Sequence, residues 1–325
     1  MRLALILIAV LAAALALSVV FGETSLSLAQ YADAFAHPGS AAGEILFRIR
    51  APRAVCAALV GAALGLSGAV MQGLLRNPLA EPGVLGVSAG GGFAAACAIA
   101  LGVGAVSGAL ELAALAGSLA AGAIVAAIAA RFREPETLIL FGVALAALGG
   151  ALTALVFNLS PSPVTTAEVL SWLQGSVANR AWIDLGWALP PMALGAGLCA
   201  YAATGLRMLT LGEESAALSG LPMARLRVAA VAGAALLTGA SVALAGVIGF
   251  VGLAAPHLVR GSVSDDPART LAPSAIAGAI LLVIADLLAR VIPTEEELRL
   301  GVVTALFGAP VFALIAWRAA RSWRA

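Results

Sequence analysis

The sequence has no lysine; all 18 of its basic residues are arginines. A Walker A loop needs its lysine on the phosphates, so the chain cannot carry a standard ATP site of that kind. Schiff-base chemistry on a lysine amine is excluded for the same reason. Histidine occurs only as His37 and His257, far apart and outside any HExxH pattern, so a catalytic metal is not expected. Cys56, Cys97 and Cys199 lie inside apolar stretches with no CxxC, and read as small buried residues rather than a disulfide framework or metal site. Charge is also scarce. Charged residues make up 11% of the chain and the formal net charge is +1, which gives no global attraction to nucleic acid. No nucleophile, base and metal come together in a pattern that points to an enzyme.

What the chain has instead is apolar length. Hydrophobic residues make up 62% of it, against about 45–50% in a soluble domain. The charges fall mostly between apolar stretches of about 17–24 residues, the length a helix needs to cross ~30 Å of hydrocarbon. Because lipid offers no hydrogen-bond partners, each stretch must pair its backbone internally. The fold class is therefore all-α: a polytopic membrane protein of one domain, residues 1–325. Ten spans are predicted near 3–22, 54–75, 84–104, 108–130, 138–159, 183–206, 226–247, 248–260, 271–291 and 301–317. The first is longer than a signal-peptide core and reads as an uncleaved span. The eighth is short, and reads as a partial or re-entrant helix buried in protein.

With the N-terminus inside, twelve arginines fall on the inner side (2, 76, 131, 133, 207, 225, 227, 260, 269, 318, 321 and 324). Six fall on the outer side (48, 50, 53, 180, 290 and 299). This asymmetry follows the positive-inside rule, and an even number of spans puts the C-terminus in the cytoplasm too. Gly61 and Gly65, and Gly86 and Gly90, have the four-residue spacing that lets helices approach closely. Gly68-Ala-Val and Gly246-Val-Ile each precede a proline by ten residues, Pro78 and Pro256. An inverted repeat and chance similarity in a Gly/Ala-rich chain both account for that match. Three segments lie outside the spans: the outer stretch 23–51, the inner stretch 207–227, and the outer stretch 160–182. The last is expected to hold a short helix, Thr166 to Val177, capped by Thr165 or Thr166.

Arg50-Ala-Pro-Arg53 is followed by Gly61-Ala-Ala-Leu-Gly65-Leu-Ser-Gly68-Ala-Val-Met-Gln72, then by Asn77-Pro-Leu-Ala-Glu-Pro-Gly83-Val-Leu-Gly86-Val-Ser. Trp172-Leu-Gln-Gly-Ser176, Leu211-Gly-Glu-Glu-Ser-Ala216, Gly249-Phe-Val-Gly-Leu253, Pro256-His-Leu-Val-Arg260 and Gly301-Val-Val-Thr-Ala-Leu-Phe-Gly308-Ala-Pro310 come after them. In this order, over roughly residues 44–315, they resemble the permease subunit of type II ABC importers for iron-siderophore complexes, haem and vitamin B12. Arg299 departs from the pattern, since the family commonly has a proline at that position.

The resemblance implies a permease in the bacterial inner membrane that carries a bulky metal chelate, most often a ferric siderophore, with haem and cobalamin as other cargoes. It implies a second copy of the chain, two copies of an ATP-binding subunit that holds ATP and Mg, and a substrate-binding protein. It assigns ATPase coupling to Gly212, Glu213, Glu214, Ala216, Gly220, Leu221, Pro222 and Arg225, where a polar loop with a helix cap is the plainer reading. It assigns docking of the binding protein to Arg50, Arg53 and Arg290, since arginine forms bidentate bonds with carboxylates. Interface arginines also snorkel to lipid headgroups. The cytoplasmic gate would fall at Asn77 and Leu79 and at Pro135 and Glu136. The rival is a secondary transporter driven by an ion gradient, which needs an intramembrane ionisable group. Asp286 is the one carboxylate well inside a span, and it shares a helix face with Arg290, four residues on, so a local pair is expected.

Overall fold

Each predicted span contains a helix, and the breaks between helices fall where proline, glycine or a capping residue ends the apolar pattern. The computed structural model describes residues 2–322 except 23, 133, 161, 264, 265, 293, 295 and 296. The helices are α1 (Arg2–Val20), α2 (Leu28–Ala36), α3 (Ala41–Glu44), α4 (Ala51–Leu75), α5 (Val87–Ala100), α6 (Ala109–Arg131), α7 (Pro135–Leu159), α8 (Pro163–Leu173), α9 (Trp182–Leu209), α10 (Glu213–Leu218), α11 (Met223–Ala245), α12 (Val251–Arg260), α13 (Pro267–Val291) and α14 (Leu300–Ser322). No strand occurs among the described residues. A π-helical turn, Ile45–Arg50, joins α3 to α4 in one run, Ala41–Leu75.

Among the described residues, seven helices are long and apolar enough to cross a bilayer: α1, the α3–α4 run, α6, α7, α9, α11 and α13. With 14 residues, α5 spans about 21 Å, and the 10 residues of α12 span about 15 Å at 1.5 Å per residue, half the hydrocarbon thickness. Helix length therefore supports seven crossings directly, and the expected ten depend also on how α5, α12 and α14, whose apolar part is Leu300–Leu314, sit.

The expected helix at Thr166–Val177 forms three residues earlier, over Pro163–Leu173. Its cap is Ser162, whose hydroxyl accepts from the Thr165 N–H at 3.2 Å, not Thr165 or Thr166. Pro163 at the first helical position loses no hydrogen bond and presets φ, which makes Ser162 the better start. Gly175, at φ +73°, ends the helix before Val177. The polar stretch 23–51 also holds a helix, α2, started by a capping box between Ser27 and Gln30.

At the centre, α4 and α11 are the most enclosed helices; α1 and α7 are peripheral, and Leu5, Leu140 and Leu148 point outward from them. The packing is reciprocal. An antiparallel contact joins α4 to α13, with Gly61 against the Gly278 carbonyl and Gly65 against the Ser274 carbonyl. Likewise α11 lies antiparallel to α6, with Gly239 against Ser118 and Ala235 against Gly122. Thus the first helix of each half packs on the third helix of the other half, α4 on α13 and α11 on α6. A pseudo-two-fold repeat gives that exchange; chance similarity does not predict it.

Candidate functional site

The alternation of helix direction sorts the connecting segments to two ends of the bundle. One end carries α2, α8, the C-terminal ends of α1 and α13 and the N-terminal end of α4. The other carries the 76–86 turn, α10, and the links that lead into α7 and α13. These are the arginine-poor and arginine-rich ends expected from the sequence.

At the arginine-poor end, Arg50, Arg53 and Arg290 come together as expected, but all three are buried and turned inward. Two residues of the α1 C-terminus, Val19 and Val20, accept through their carbonyls from Arg50 at 3.2 and 2.6 Å, and the Thr24 carbonyl accepts as well. Arg53 donates to Asp286 from Nε at 3.0 Å and from its terminal nitrogen at 2.8 Å, and grips Glu297 with its outer edge. The i,i+4 pair of Asp286 and Arg290 forms at 3.0 Å, and Arg290 also donates to the Ser18 hydroxyl at 2.6 Å. Asp286, 1% exposed, therefore has two guanidinium partners where the sequence pointed to one. Burial of a carboxylate this deep requires such pairing. Sequence reasoning missed Arg53 and Glu297 as partners because Arg53 lies 233 residues from Asp286 in the chain.

The placement of the three arginines alters the docking expectation. A surface guanidinium open to a partner's carboxylate is not what the chain presents, because three buried cations need carboxylate and carbonyl acceptors from within. Arg299 is partly buried, and its carbonyl accepts from the Val302 and Val303 N–H groups at the start of α14.

At the arginine-rich end, α9 and α11 are joined by an angular segment. Gly212 (φ +98°) turns the chain into α10, Gly220 (φ +75°) turns it out, and Pro222 leads into α11. Ala216 is fully buried and anchors α10, whereas Glu214 and Arg225 are exposed. Leu211 and Leu218 are exposed as well, Leu218 at 88%.

In the turn after α4, Arg76 is left-handed (φ +49°) and the Asn77 side chain accepts from the Leu79 N–H at 2.9 Å. Pro135 and Glu136 form the first turn of α7. The 3-10 turn Pro82–Leu85 packs against α7, where Gly86 meets Leu145, well beyond Pro135 and Glu136 along that helix. Nearby, Gln72 joins α4 to α12 by accepting from Arg260 at 2.8 Å. Beside these, Asp266 caps α13 through the Ala268 N–H and bonds Arg207 of α9 at 2.7 Å. Burial pushes the Asp266 carboxyl up, but the bonds from Arg207 and Ala268 outweigh it and hold it below its ordinary value.

The remaining family-like segments converge on one backbone junction. The Ala245 carbonyl accepts from Ser176 N–H at 2.8 Å, and the Gly175 and Gln174 carbonyls accept from Leu300 and Gly301 N–H at 2.9 and 3.0 Å. A Cβ at Gly246 would lie 2.4 Å from the Trp172 carbonyl, and one at Gly301 2.3 Å from that of Gln174. Only glycine lets these three backbones meet.

The chain is thus a helical membrane bundle with buried ion pairs at one end and an angular loop at the other. The chain belongs to the FecCD transport family, whose model matches residues 8–318. It is 39% identical over 287 residues to the uncharacterised ABC transporter permease protein YvrB of Bacillus subtilis, covering 86% of this chain and 81% of that one. It is 40% identical over 287 residues to the vitamin B12 import system permease protein BtuC of Salmonella typhimurium, covering 87% and 86%. A metal-chelate type ABC transporter solved in an inward-facing conformation has a similar chain. The TM-score is 0.84 at 30% identity, over 97% of this chain and 98% of that one.

Proposed function

We propose that this chain is the membrane permease of an ATP-driven importer and carries a bulky metal chelate into the bacterial cytoplasm. The observation that carries the reading is the family match across almost the whole chain, joined to relatives that are ABC transporter permeases. In this reading two copies form the pathway, and a binding protein delivers cargo to the end that holds Arg50, Arg53 and Arg290. Because these side chains are engaged internally, docking carboxylates exchange with Glu297 at Arg53 or bond the outward edge of the cluster. Two separate ATP-binding subunits, which hold ATP and Mg, grip Gly212–Arg225 at the other end. Residues 212, 213, 214, 216, 220, 221, 222 and 225 transmit their motion into α9 and α11. Asn77 and Leu79, with Pro135 and Glu136, act as the cytoplasmic gate. The cargo is a ferric siderophore, haem or a corrinoid, and vitamin B12 import by a 40%-identical relative favours the corrinoid.

A secondary transporter is the weaker reading. Its coupling carboxylate would be Asp286, and that group is already neutralised by Arg53 and Arg290. The importer reading predicts that the tagged chain co-purifies with an ATP-hydrolysing subunit in equal amounts. A chain that purifies as the sole component from its native membrane, with transport intact, contradicts it.

A further inference from the structure

At the arginine-rich end, the C-terminal ends of α4, α9 and α12 and the first turn of α13 enclose a cavity of about 220 Å³. Its polar lining is Gln72, Arg76, Asn77, Thr210, Arg260 and Thr270. Two of these carry guanidinium groups, and no carboxylate lines the cavity among the described residues. The carboxylate of the adjoining cap, Asp266, is already held by Arg207 and the Ala268 N–H.

Hydrogen bonding sorts the donors from the acceptors. Thr210 and Thr270 direct their hydroxyl protons to the Arg207 and Pro267 carbonyls, each at 2.7 Å. The Asn77 side-chain oxygen accepts from the Leu79 N–H, which leaves its amide N–H groups to donate. Gln72, 3% exposed, donates to the Leu253 carbonyl at 3.4 Å, and its oxygen accepts from Arg260 at 2.8 Å. That buried amide holds the Arg260 guanidinium at the cavity wall. The cavity thus presents N–H donors and positive charge together, the complement of a phosphate group.

Arg76 is the least expected member. It ends α4 in the left-handed region, at φ +49°, where glycine is the usual residue. The chain keeps an exposed arginine there, and its guanidinium makes no hydrogen bond or ion pair among the described residues. Offsetting the dipole at a helix C-terminus takes only about half a charge. An arginine one turn earlier would supply that without the strain. A strained backbone of this kind points to a role for the side chain it carries.

We propose that this cavity binds a phosphate group, presented by an anionic lipid headgroup or by a soluble phosphate, and that Arg76, Asn77 and Arg260 hold it. Basic pockets between helices are where membrane proteins take anionic headgroups. The bound anion joins the end of α4 to the end of α12. The inference stands apart from the importer reading and from the identity of the cargo.

The test uses the full chain in neutral detergent. Its unfolding midpoint is followed as phosphatidylglycerol is added to the micelles, with phosphatidylcholine as the neutral control. A second titration replaces chloride with inorganic phosphate at constant ionic strength, since exposed charges are screened by salt. A ligand that binds only the folded chain raises the midpoint by mass action. The expected result is a saturable rise with phosphatidylglycerol or phosphate and none with the controls. Arg76→Gly should lose at least tenfold in apparent affinity, while its ligand-free midpoint stays close to the wild type because glycine accepts the left-handed turn. Arg260→Gln should lose a similar factor. Arg131→Gln, exposed at the same end but outside the cavity, should bind as the wild type does. A response to phosphatidylglycerol alone makes the source a lipid, a response to inorganic phosphate makes it soluble, and both support the proposal. No response to either, wild-type affinity in either cavity variant, or an equal loss in Arg131→Gln overturns it.

Discussion

Arg53 of α4 and Asp286 of α13 are locked as a fork on a carboxylate, with Nε and a terminal nitrogen 3.0 and 2.8 Å from the same oxygen. The pair fastens the N-terminal end of α4 to the C-terminal end of α13, two helices that run into close backbone contact below it, and Arg290 shares the carboxylate. Breaking a buried pair from one side leaves an unpaired charge, at a cost of about 3–5 kcal/mol. Arg53→Ala and Asp286→Ala should each lower the unfolding midpoint in detergent strongly. The double variant should lose much less than the sum, since it removes both charges. Additive losses would show that the pair is not coupled.

The close approach of α4 and α13 makes a second, sharper comparison. A Cβ at Gly61 would lie 2.2 Å from the Gly278 carbonyl oxygen, whereas one at Gly150 meets nothing within 4 Å. Gly61→Ala should destabilise by at least ~1–3 kcal/mol, the cost of forced overpacking. Gly150→Ala, in the middle of α7, should be neutral or stabilise slightly through helix propensity. Thermal unfolding of the two purified variants, side by side, checks both signs.

Asp266 gives a pH dependence. Its folded carboxyl is held below the ordinary value, so its contribution is complete above the unfolded pKa and is lost as pH falls through the folded one. Stability should therefore drop as pH falls below about 4, with part of the drop absent in Asp266→Asn. Asp266→Ala loses the helix cap as well, at a cost of ~1 kcal/mol at neutral pH. Parallel unfolding curves across pH for wild type and Asp266→Asn would contradict this assignment.

Leu218 tests the inner contact surface. It is almost fully exposed on a short helix anchored by the buried Ala216, so Leu218→Asp should leave the unfolding midpoint of the isolated chain unchanged. If the segment docks an ATP-binding subunit, the variant should weaken that association about tenfold or more, the loss typical of a truncated apolar anchor. Pull-down of the subunit at equal yield would remove Leu218 from the interface.

Much of this architecture is legible in the sequence because membrane helices announce themselves by length and composition. Each of the ten apolar runs contains a helix, and the Asp286–Arg290 pair follows from spacing alone. The start of α8 falls at Ser162 and not at the threonines because a serine followed by proline outranks threonines further on as a helix cap. The α2 helix was recoverable from Ser27-Leu-Ala-Gln30, a capping-box signature inside a polar stretch. The inward turn of Arg50 and Arg53 was not recoverable. Their partners, Val19, Val20, Asp286 and Glu297, are set by tertiary packing, and a single sequence carries no signal for contacts that distant. The reciprocal packing of α4 with α13 and of α11 with α6 is the arrangement that an inverted repeat gives, and residue matches alone do not reveal it.

The measurement that bears most directly on the central claim is uptake in proteoliposomes that contain this chain, its ATP-binding subunits and its binding protein, driven either by ATP or by a proton gradient. The account predicts uptake of one metal chelate that requires ATP and both partners and ignores the gradient. Uptake that follows the gradient and persists without ATP would contradict it and return Asp286 to the centre of the mechanism.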